Sequence, residues 1–275
     1  MTEASSANPV SVTAYWTLAA RHADATGPRP VANDTYAERF MDDDARAVAE
    51  RFSALKRPFQ SFPVRHRVID DMLREELGRD RRARIVVIGC GFDTRSYRLD
   101  GGRWVEVDEP ELLAIKEARL PAAEARNPLE RVPIRFREES LEATLTPHAT
   151  GERVVIVLEG ILGYVTDSDR RALVTTLVRL FPHHAVVCDL LTKRFLARYA
   201  RGLVRFLREI DAEFSASSDH PEALFHELGY RTAARVSIPE RAAEIGAPGA
   251  PPRSLVRLLP GFRDGYCVWK LEHGT

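Results

Sequence analysis

Cysteine is scarce in this chain. The three present, Cys90, Cys188 and Cys267, are odd in number, widely spaced and free of any C-x-x-C pair. That excludes a disulfide framework and a thiolate zinc site. Three buried, reduced thiols are expected, and no metal. Long apolar runs are also missing: no stretch approaches the ~20 residues that span a bilayer. The opening MTEASSANPVSVTAYW has neither a basic start nor an apolar run, so it does not read as a signal peptide. Lysine is nearly absent, at four of 40 basic residues, and an excess of either charge is absent altogether, 40 acidic residues offsetting the 40 basic ones. A nucleic-acid binder usually carries a basic footprint. The expectations are therefore a cytoplasmic protein with no nucleic-acid or membrane partner.

What is present is a core. Hydrophobic residues make up 44% of 275, which suits one α/β domain with extra helices. Residues 1 to about 10 are small, polar and expected to be mobile. Helices are predicted over Thr13–His22, Thr35–Phe52 and Phe62–Leu77, the last with Val64, Val68, Met72 and Leu73 at helical spacing and Gly78 as its stop. From residue 84 the period changes. Short apolar strands are predicted at Arg84–Ile88, Trp104–Val107, Val132–Phe136, Val154–Leu158 and Ala185–Cys188, with helices at Glu109–Leu120 and Asp167–Leu180 between them. Nearly continuous apolar strands alternating with helices indicate a buried, mostly parallel sheet. Farther on, a helix is predicted over Pro221–Leu228, and strands over Tyr230–Ile238 and Tyr266–Leu271 that close the sheet as an antiparallel edge, with a Pro/Gly-rich loop at 246–252 between them.

Lys193–Phe214 reads as a long helix that interrupts this alternation. Arg194, Arg198, Arg201, Arg205 and Arg208 share one face; Phe195, Tyr199, Phe206 and Ile210 share another. A solvated basic face above an apolar one accounts for the pattern. A lid whose arginines attract an acidic substrate is the competing account.

Three features carry chemistry, each at the carboxyl end of a strand, where open parallel sheets bind ligands. Gly89-Cys90-Gly91-Phe92-Asp93-Thr94 follows strand one. Its glycines permit a tight turn and close approach of a ligand, but Thr94 stands where a dinucleotide fingerprint wants a third glycine. Asp108 ends strand two, 17 residues beyond Gly91. A carboxylate there can accept from both hydroxyls of a ribose; it can equally cap the helix that begins near Pro110. Glu159 ends strand four. After four apolar residues it is expected to be partly buried, which is costly without a cationic ligand or an arginine beside it.

The runs VVIGCGFDTRSYRL (86–99), WVEVDEPELLAIKEARL (104–120) and VVIVLEGILGYV (154–165) resemble successive motifs of the leucine carboxyl methyltransferase family. So do FPVRHRVIDDML (62–73) and, near the N-terminus, Thr13-Ala14, Arg21 and Asp34-Thr35-Tyr36-Ala37. The likeness runs from about residue 13 to about 190, and more weakly through PEALFHELGYR (221–231). It implies a Rossmann-like class I methyltransferase fold, α/β, with a mostly parallel seven-stranded sheet, an antiparallel C-terminal edge strand, an N-terminal helical cap (1–80) and a core (81–275) with a helical insertion at 192–215, all in one domain. It implies S-adenosyl-L-methionine as cofactor. Carried over, Arg65 grips the carboxylate of the methionine moiety, with Arg21 as a second candidate. Gly89 and Gly91 lie against the cofactor, and Asp108 holds the ribose. Glu159 takes the ammonium, and Asp93 fixes the glycine loop or receives the methionine end. The adenine falls to Glu139 and Ser140. There the family usually has Asp-Leu, whereas this chain reads Glu138-Glu139-Ser140-Leu141.

The family includes carboxyl methyltransferases and O-methyltransferases of polyketide pathways, so the implied acceptor is a carboxylate or phenolic hydroxyl of a small molecule, anionic or aromatic. A carboxylate is ionised at neutral pH and needs no base, while a phenol with a pKa near ~10 gains from one. Tyr164 and His66 are the candidates to act there; Tyr15 and Trp16 are candidate lid residues. A monomer or homodimer is expected. Two rivals remain at this level: a nicotinamide-dependent oxidoreductase, which the missing third glycine, Arg65 and the Glu159 motif oppose, and a non-catalytic binding protein of the same fold. A tRNA-modifying relative is disfavoured by the neutral charge.

Overall fold

The computed structural model describes residues 9–52, 56–209, 214 and 218–274. Its frame is a seven-stranded sheet built from β1 (Arg84–Ile88), β2 (Arg103–Asp108), β3 (Leu129–Pro133), β4 (Val154–Leu158), β5 (His184–Leu191), β6 (Arg231–Ser237) and β7 (Tyr266–His273). The order is β3-β2-β1-β4-β5-β7-β6. β1 to β5 pair in parallel. β7 runs antiparallel to both β5 and β6, so the reversed strand sits one place in from the edge. The chain winds outward from β1 through β2 to β3, then returns to start the other half at β4. This reversal leaves a crevice beyond the carboxyl ends of β1 and β4.

The period-two alternation of the central strands assigns their side chains to two cores. Ile85, Val87, Val155, Val157 and Val187 pack on one face against Val68, Ile69, Met72 and Leu73 of the helix Lys56–Arg79. Val86, Ile88, Ile156, Leu158 and Val186 pack on the other against Val174 and Leu177 of the helix Asp167–Leu180. Each such fully buried side chain contributes about 1.5–3 kcal/mol of apolar transfer, which makes the two-sided centre of the sheet the rigid base of the crevice. The helix Pro9–Ala25 and the turn Thr35–Phe40 lie over the rim, where Leu18, Ala37 and Phe40 meet Phe92 and Tyr97. No helix of the described residues is long and apolar enough to cross a membrane. Cys90, Cys188 and Cys267 are free and buried.

Most elements differ from the sequence expectation only at their ends, for example Lys56–Arg79 for Phe62–Leu77 and His184–Leu191 for Ala185–Cys188. Three differences go further. The third strand is Leu129–Pro133 rather than Val132–Phe136. Pro133, with no N–H to donate, is its last paired residue, and Phe136 falls in the loop beyond. Thr35–Phe52 is two helices, because Asp42 accepts from Ala45 N at 2.7 Å and starts a new helix at Asp43. Lys193–Phe214 is also broken, into Lys193–Tyr199 and Arg201–Glu209. The backbone leaves helical geometry at Ala200 (φ −118°, ψ 24°), and Gly202 weakens helix propensity just behind it. Ile210 and residues 1–8 lie outside the described residues, as does the side chain of Phe206.

Candidate functional site

The three strand-end motifs converge on the crevice. Gly89 and Gly91 both adopt left-handed backbone (φ 63° and 49°). A Cβ on Gly89 would stand 2.4 Å from Ile161 Cδ1 and would push that side chain aside, so the glycine is required chiefly by its backbone conformation. The turn is pinned to the end of β2: Gly89 N donates to Val107 O at 2.7 Å, and Gly91 N donates to Asp108 Oδ2 at 2.6 Å. Asp108 Oδ1 accepts from Glu109 N at 2.8 Å. Burial pushes the Asp108 carboxyl above its ordinary value, and the two backbone N–H groups offset this only in part. No guanidinium forms an ion pair with it among the described residues. It is a carboxylate short of donors at the edge of a hollow.

Glu159 is placed differently. Burial opposes its ionisation, but Arg95, His66 and Arg65 outweigh that and hold it well below the usual carboxylate range. Arg65 Nε donates to Glu159 Oε1 at 2.9 Å, and Arg95 Nη1 lies 2.8 Å from Oε2. These are links in a larger network. Arg95, with no exposed surface, also pairs with Asp93 and donates to Asp70 Oδ1 at 2.6 Å. Arg98 Nη1 donates to Asp70 Oδ2 at 2.7 Å, and Arg98 Nε lies 3.4 Å from Asp34, which in turn pairs with Arg21. At the other end Arg65 Nη1 donates to Asp189 Oδ2 (3.0 Å) and Tyr266 Oη (3.2 Å). Asp189 Oδ1 accepts from Gly160 N at 2.6 Å. Buried charges persist only when paired and hydrogen-bonded, and this chain of pairs ties the cap helix Lys56–Arg79 to the ends of β1, β4 and β5.

A cavity of about 1550 Å³ opens onto this network. That exceeds the ~300–1,000 Å³ usual for one ligand, so it has room for two. One end is formed by residues 87–93, Asp108, Glu109, Phe136, Arg137, 140–142 and 159–161. Across the whole lining, seven carboxylates (Asp93, Asp108, Glu109, Glu142, Glu159, Asp169, Asp189) face three guanidiniums (Arg21, Arg65, Arg137). The other end is apolar. Phe62, Tyr164, Phe195, Tyr199, Phe214 and Phe262 wall it, with the 247–251 loop. Their rings pack edge and face on one another: Tyr164–Phe214 at 4.9 Å, Tyr199–Phe262 at 5.1 Å, Phe195–Phe262 at 5.9 Å.

Of the residues singled out from sequence, Arg21, Arg65, His66, Gly89, Gly91, Asp93, Asp108, Ser140, Glu159 and Tyr164 all line this one cavity, as does Trp16; Tyr15 is not among the lining residues. Glu139 is not brought to it either: it is exposed, and its Oε2 accepts from Arg135 N at 3.2 Å. Ser140 lines the wall while capping the helix Leu141–Leu145. His66 is enclosed by the network. Its Nδ1 lies 3.2 Å from Glu159 Oε2 and its Nε2 2.6 Å from Arg98 Nη2. Nδ1 also lies 2.7 Å from Arg95 Nη2, a donor, so the tautomer that donates from Nδ1 to Glu159 and accepts at Nε2 from Arg98 leaves that contact unmet. Burial, then Arg95, pushes its pKa down. Burial pushes the Tyr164 phenol up to about 12, with the Thr13 hydroxyl pulling it back.

Of the two accounts of 193–214, the geometry matches the solvated basic face and not the acid-attracting lid. Arg194, Arg198, Arg201, Arg205 and Arg208 are exposed and absent from the cavity wall; Phe195, Tyr199, Ala200 and Leu203 line it instead. An apolar face turned to the hollow leaves the charged face to water. Sequence reasoning missed Asp70, Arg95, Asp189, Tyr266 and Phe136. Asp189 follows an apolar run as Asp108 and Glu159 do, and that pattern was its signal. Arg95 had none beyond its place two residues after Asp93.

Comparison with known proteins adds to this geometry. The sequence profile of the family described as Leucine carboxyl methyltransferase matches residues 14–178. The tetracenomycin polyketide synthesis O-methyltransferase TcmP of Streptomyces glaucescens is 26% identical over 219 residues, covering 76% of this chain and 75% of that one. A putative S-adenosyl-L-methionine-dependent methyltransferase of Streptomyces coelicolor is 30% identical over 212 residues, 69% of each chain. Among solved structures, a putative methyltransferase from Thermobifida fusca superposes with a TM-score of 0.62 at 17% identity, over 93% of each chain, which shows a shared fold.

Proposed function

The chain belongs to the leucine carboxyl methyltransferase family, and on that premise we propose that it transfers the methyl group of S-adenosylmethionine to a phenolic oxygen of an apolar aromatic small molecule. The observation that carries the acceptor class is the cluster of aromatic side chains that shares the cavity wall with the carboxylates.

The residues present fit the cofactor. Its sulfonium and ammonium suit a hollow in which carboxylates outnumber guanidiniums. Asp108, short of donors, suits two ribose hydroxyls. Phe136, on the wall and 39% exposed, offers a ring face to the adenine. Arg65 Nη2 has no hydrogen bond among the described residues and lies by Gly160, where a Cβ would come within 3.2 Å of it. It is the donor left for the methionine carboxylate. S-adenosylmethionine supplies a methyl already activated on sulfur.

The protein's share is therefore alignment and exclusion of water. Glu159, His66 and Arg95 fix Arg65. Tyr164 stays protonated near neutrality and donates a hydrogen bond that stabilises the acceptor as its phenolate. The phenolic proton passes to solvent before the acceptor is sealed in. The oxygen then takes the methyl, and the electrons of the broken C–S bond leave on S-adenosylhomocysteine. The aromatic walls hold a ring flat behind the methyl. A carboxylate acceptor would want a free cation in the aromatic lobe. The one that reaches it, Arg65 over the Phe62 ring at 5.1 Å, is paired with Glu159 and Asp189, and the insertion arginines are off the wall.

The test is a matched pair, 1-naphthol and 1-naphthoic acid, incubated with methyl-labelled S-adenosylmethionine and followed by mass spectrometry. Label on the naphthol is expected. Label only on the acid would move the assignment to carboxylates, and no transfer to oxygen in a wider panel of phenols and acids would overturn it.

A further inference from the structure

We propose that Gln60 is a specificity-determining residue, whose side-chain amide reads carbonyl or hydroxyl substituents on the aromatic acceptor. The inference rests on the aromatic-acceptor reading and narrows it to neutral, oxygenated ring systems.

Gln60 is the chain's only glutamine. It stands near the start of the cap helix Lys56–Arg79, half-buried, on the cavity wall beside Phe62. Five residues separate it from Arg65, roughly 7.5 Å of helical rise, so one helix supplies both the cofactor end and the apolar end. The Gln60 amide makes no hydrogen bond among the described residues. The contrast with Asn127 is instructive. That amide is also enclosed, but its nitrogen donates to Ser96 O (2.8 Å) and Leu99 O (2.7 Å) and its oxygen accepts from Gly101 N (2.9 Å). Asn127 is spent on holding backbone. Gln60 is not.

The 246–252 loop closes over the side chain at Gly249, whose φ of 73° favours glycine. A Cβ there would lie 2.1 Å from Gln60 Oε1 and would push the amide aside. The amide thus lies between cap helix and loop, with Ala247, Pro248, Ala250 and Pro251 lining the wall beside it.

A neutral primary amide offers two donors and one acceptor. An oxygenated ring that enters the lobe gives these groups partners. A pure hydrocarbon strips their water and returns nothing, and a buried polar group left unpaired is penalised. A carboxylate gains no charge from an amide, so the recognition is for carbonyls and hydroxyls. The expected discrimination is tenfold or more.

Anthraquinone and anthracene test this. They share one fused outline and differ in the two carbonyls. Their dissociation constants are measured by fluorescence titration on the full chain saturated with S-adenosylhomocysteine, for the wild type, Gln60→Met and Gln60→Asn. The wild type should prefer anthraquinone by about tenfold or more. Gln60→Met should erase the preference by weakening anthraquinone and, with no amide left to desolvate, tightening anthracene, with S-adenosylhomocysteine affinity unchanged as the check on folding; Gln60→Asn, with its amide one methylene short, should fall between. An unselective wild type, or a preference that survives in Gln60→Met, overturns the assignment to Gln60 while leaving the aromatic lobe standing. If neither probe binds the wild type, the aromatic-acceptor reading itself fails and the inference with it.

Discussion

The two ends of the cavity are built on opposite principles. At the carboxylate-rich end, charged side chains are fixed by other charged side chains: Arg95 alone meets Asp70, Asp93, Glu159 and His66. At the aromatic end, rings are fixed by rings, with charge excluded to the outer faces of the helices. The first arrangement commits nearly every polar atom and preorganises the site for one invariant ligand. The second leaves shape and a few polar tips to do the selecting. The lesson is a division of labour: cofactor geometry is over-determined by electrostatics, whereas acceptor choice rests on packing.

The sharpest way to break this contrast is Arg95→Ala, which leaves three carboxylates facing one another in a dry interior. A loss of about 3–5 kcal/mol is expected, read as a fall in the urea midpoint. A loss under ~1 kcal/mol would mean that the network is not structural. Acid is the milder probe. Asp34, Asp93 and Glu159 each titrate below their ordinary values, despite burial, because arginines face them. In that case the unfolded chain takes up protons first. The stability these groups provide is complete above about pH 4–5 and drains as pH falls below it towards their folded values. Asp108 and Glu109 run the other way, their carboxyls being raised by burial, but the lowered group outnumbers them. Thermal midpoints should begin to decline below about pH 6.5, where His66 and His184, pushed down by burial, take up protons only in the unfolded chain. They should fall more steeply below about pH 5 as the carboxylates titrate; a slope that does not steepen between about pH 5 and pH 3 would show that the pairs contribute nothing. The smallest effect should come from Arg198→Gln with Arg201→Gln. Both side chains are exposed and off the wall, so turnover should be unchanged in steady-state assays and stability should move by less than about 0.5 kcal/mol.

Legibility in sequence follows the same division. The strand-end residues Gly89, Gly91, Asp108 and Glu159 could be read because a parallel sheet delivers the end of each strand to one rim, and short apolar runs mark those ends. Arg65 was found only through family resemblance; nothing in its helical surroundings announces a ligand. Arg95 and Asp70 were invisible because their meaning lies in pairing across 25 residues of chain. Glu139 was chosen through the family's Asp-Leu motif after strand three, and the side chain is exposed and off the cavity wall. The strand itself was placed three residues too far along because Pro133 ends the ladder while the buried Ile134 continues the apolar pattern. The aromatic lobe was half seen. The opposed faces of 193–214 were correctly separated, but which one meets the ligand depends on a break at Ala200 that composition does not signal.

The most direct test is a calorimetric titration of S-adenosylhomocysteine into Asp108→Asn and Phe195→Ala side by side with the wild type. Asp108→Asn should bind about tenfold to a hundredfold more weakly, as befits a charge-assisted hydrogen bond, while Phe195→Ala stays within about twofold. Equal affinity in Asp108→Asn, or an equal loss in Phe195→Ala, would contradict a cavity divided into a charged cofactor end and a neutral acceptor end.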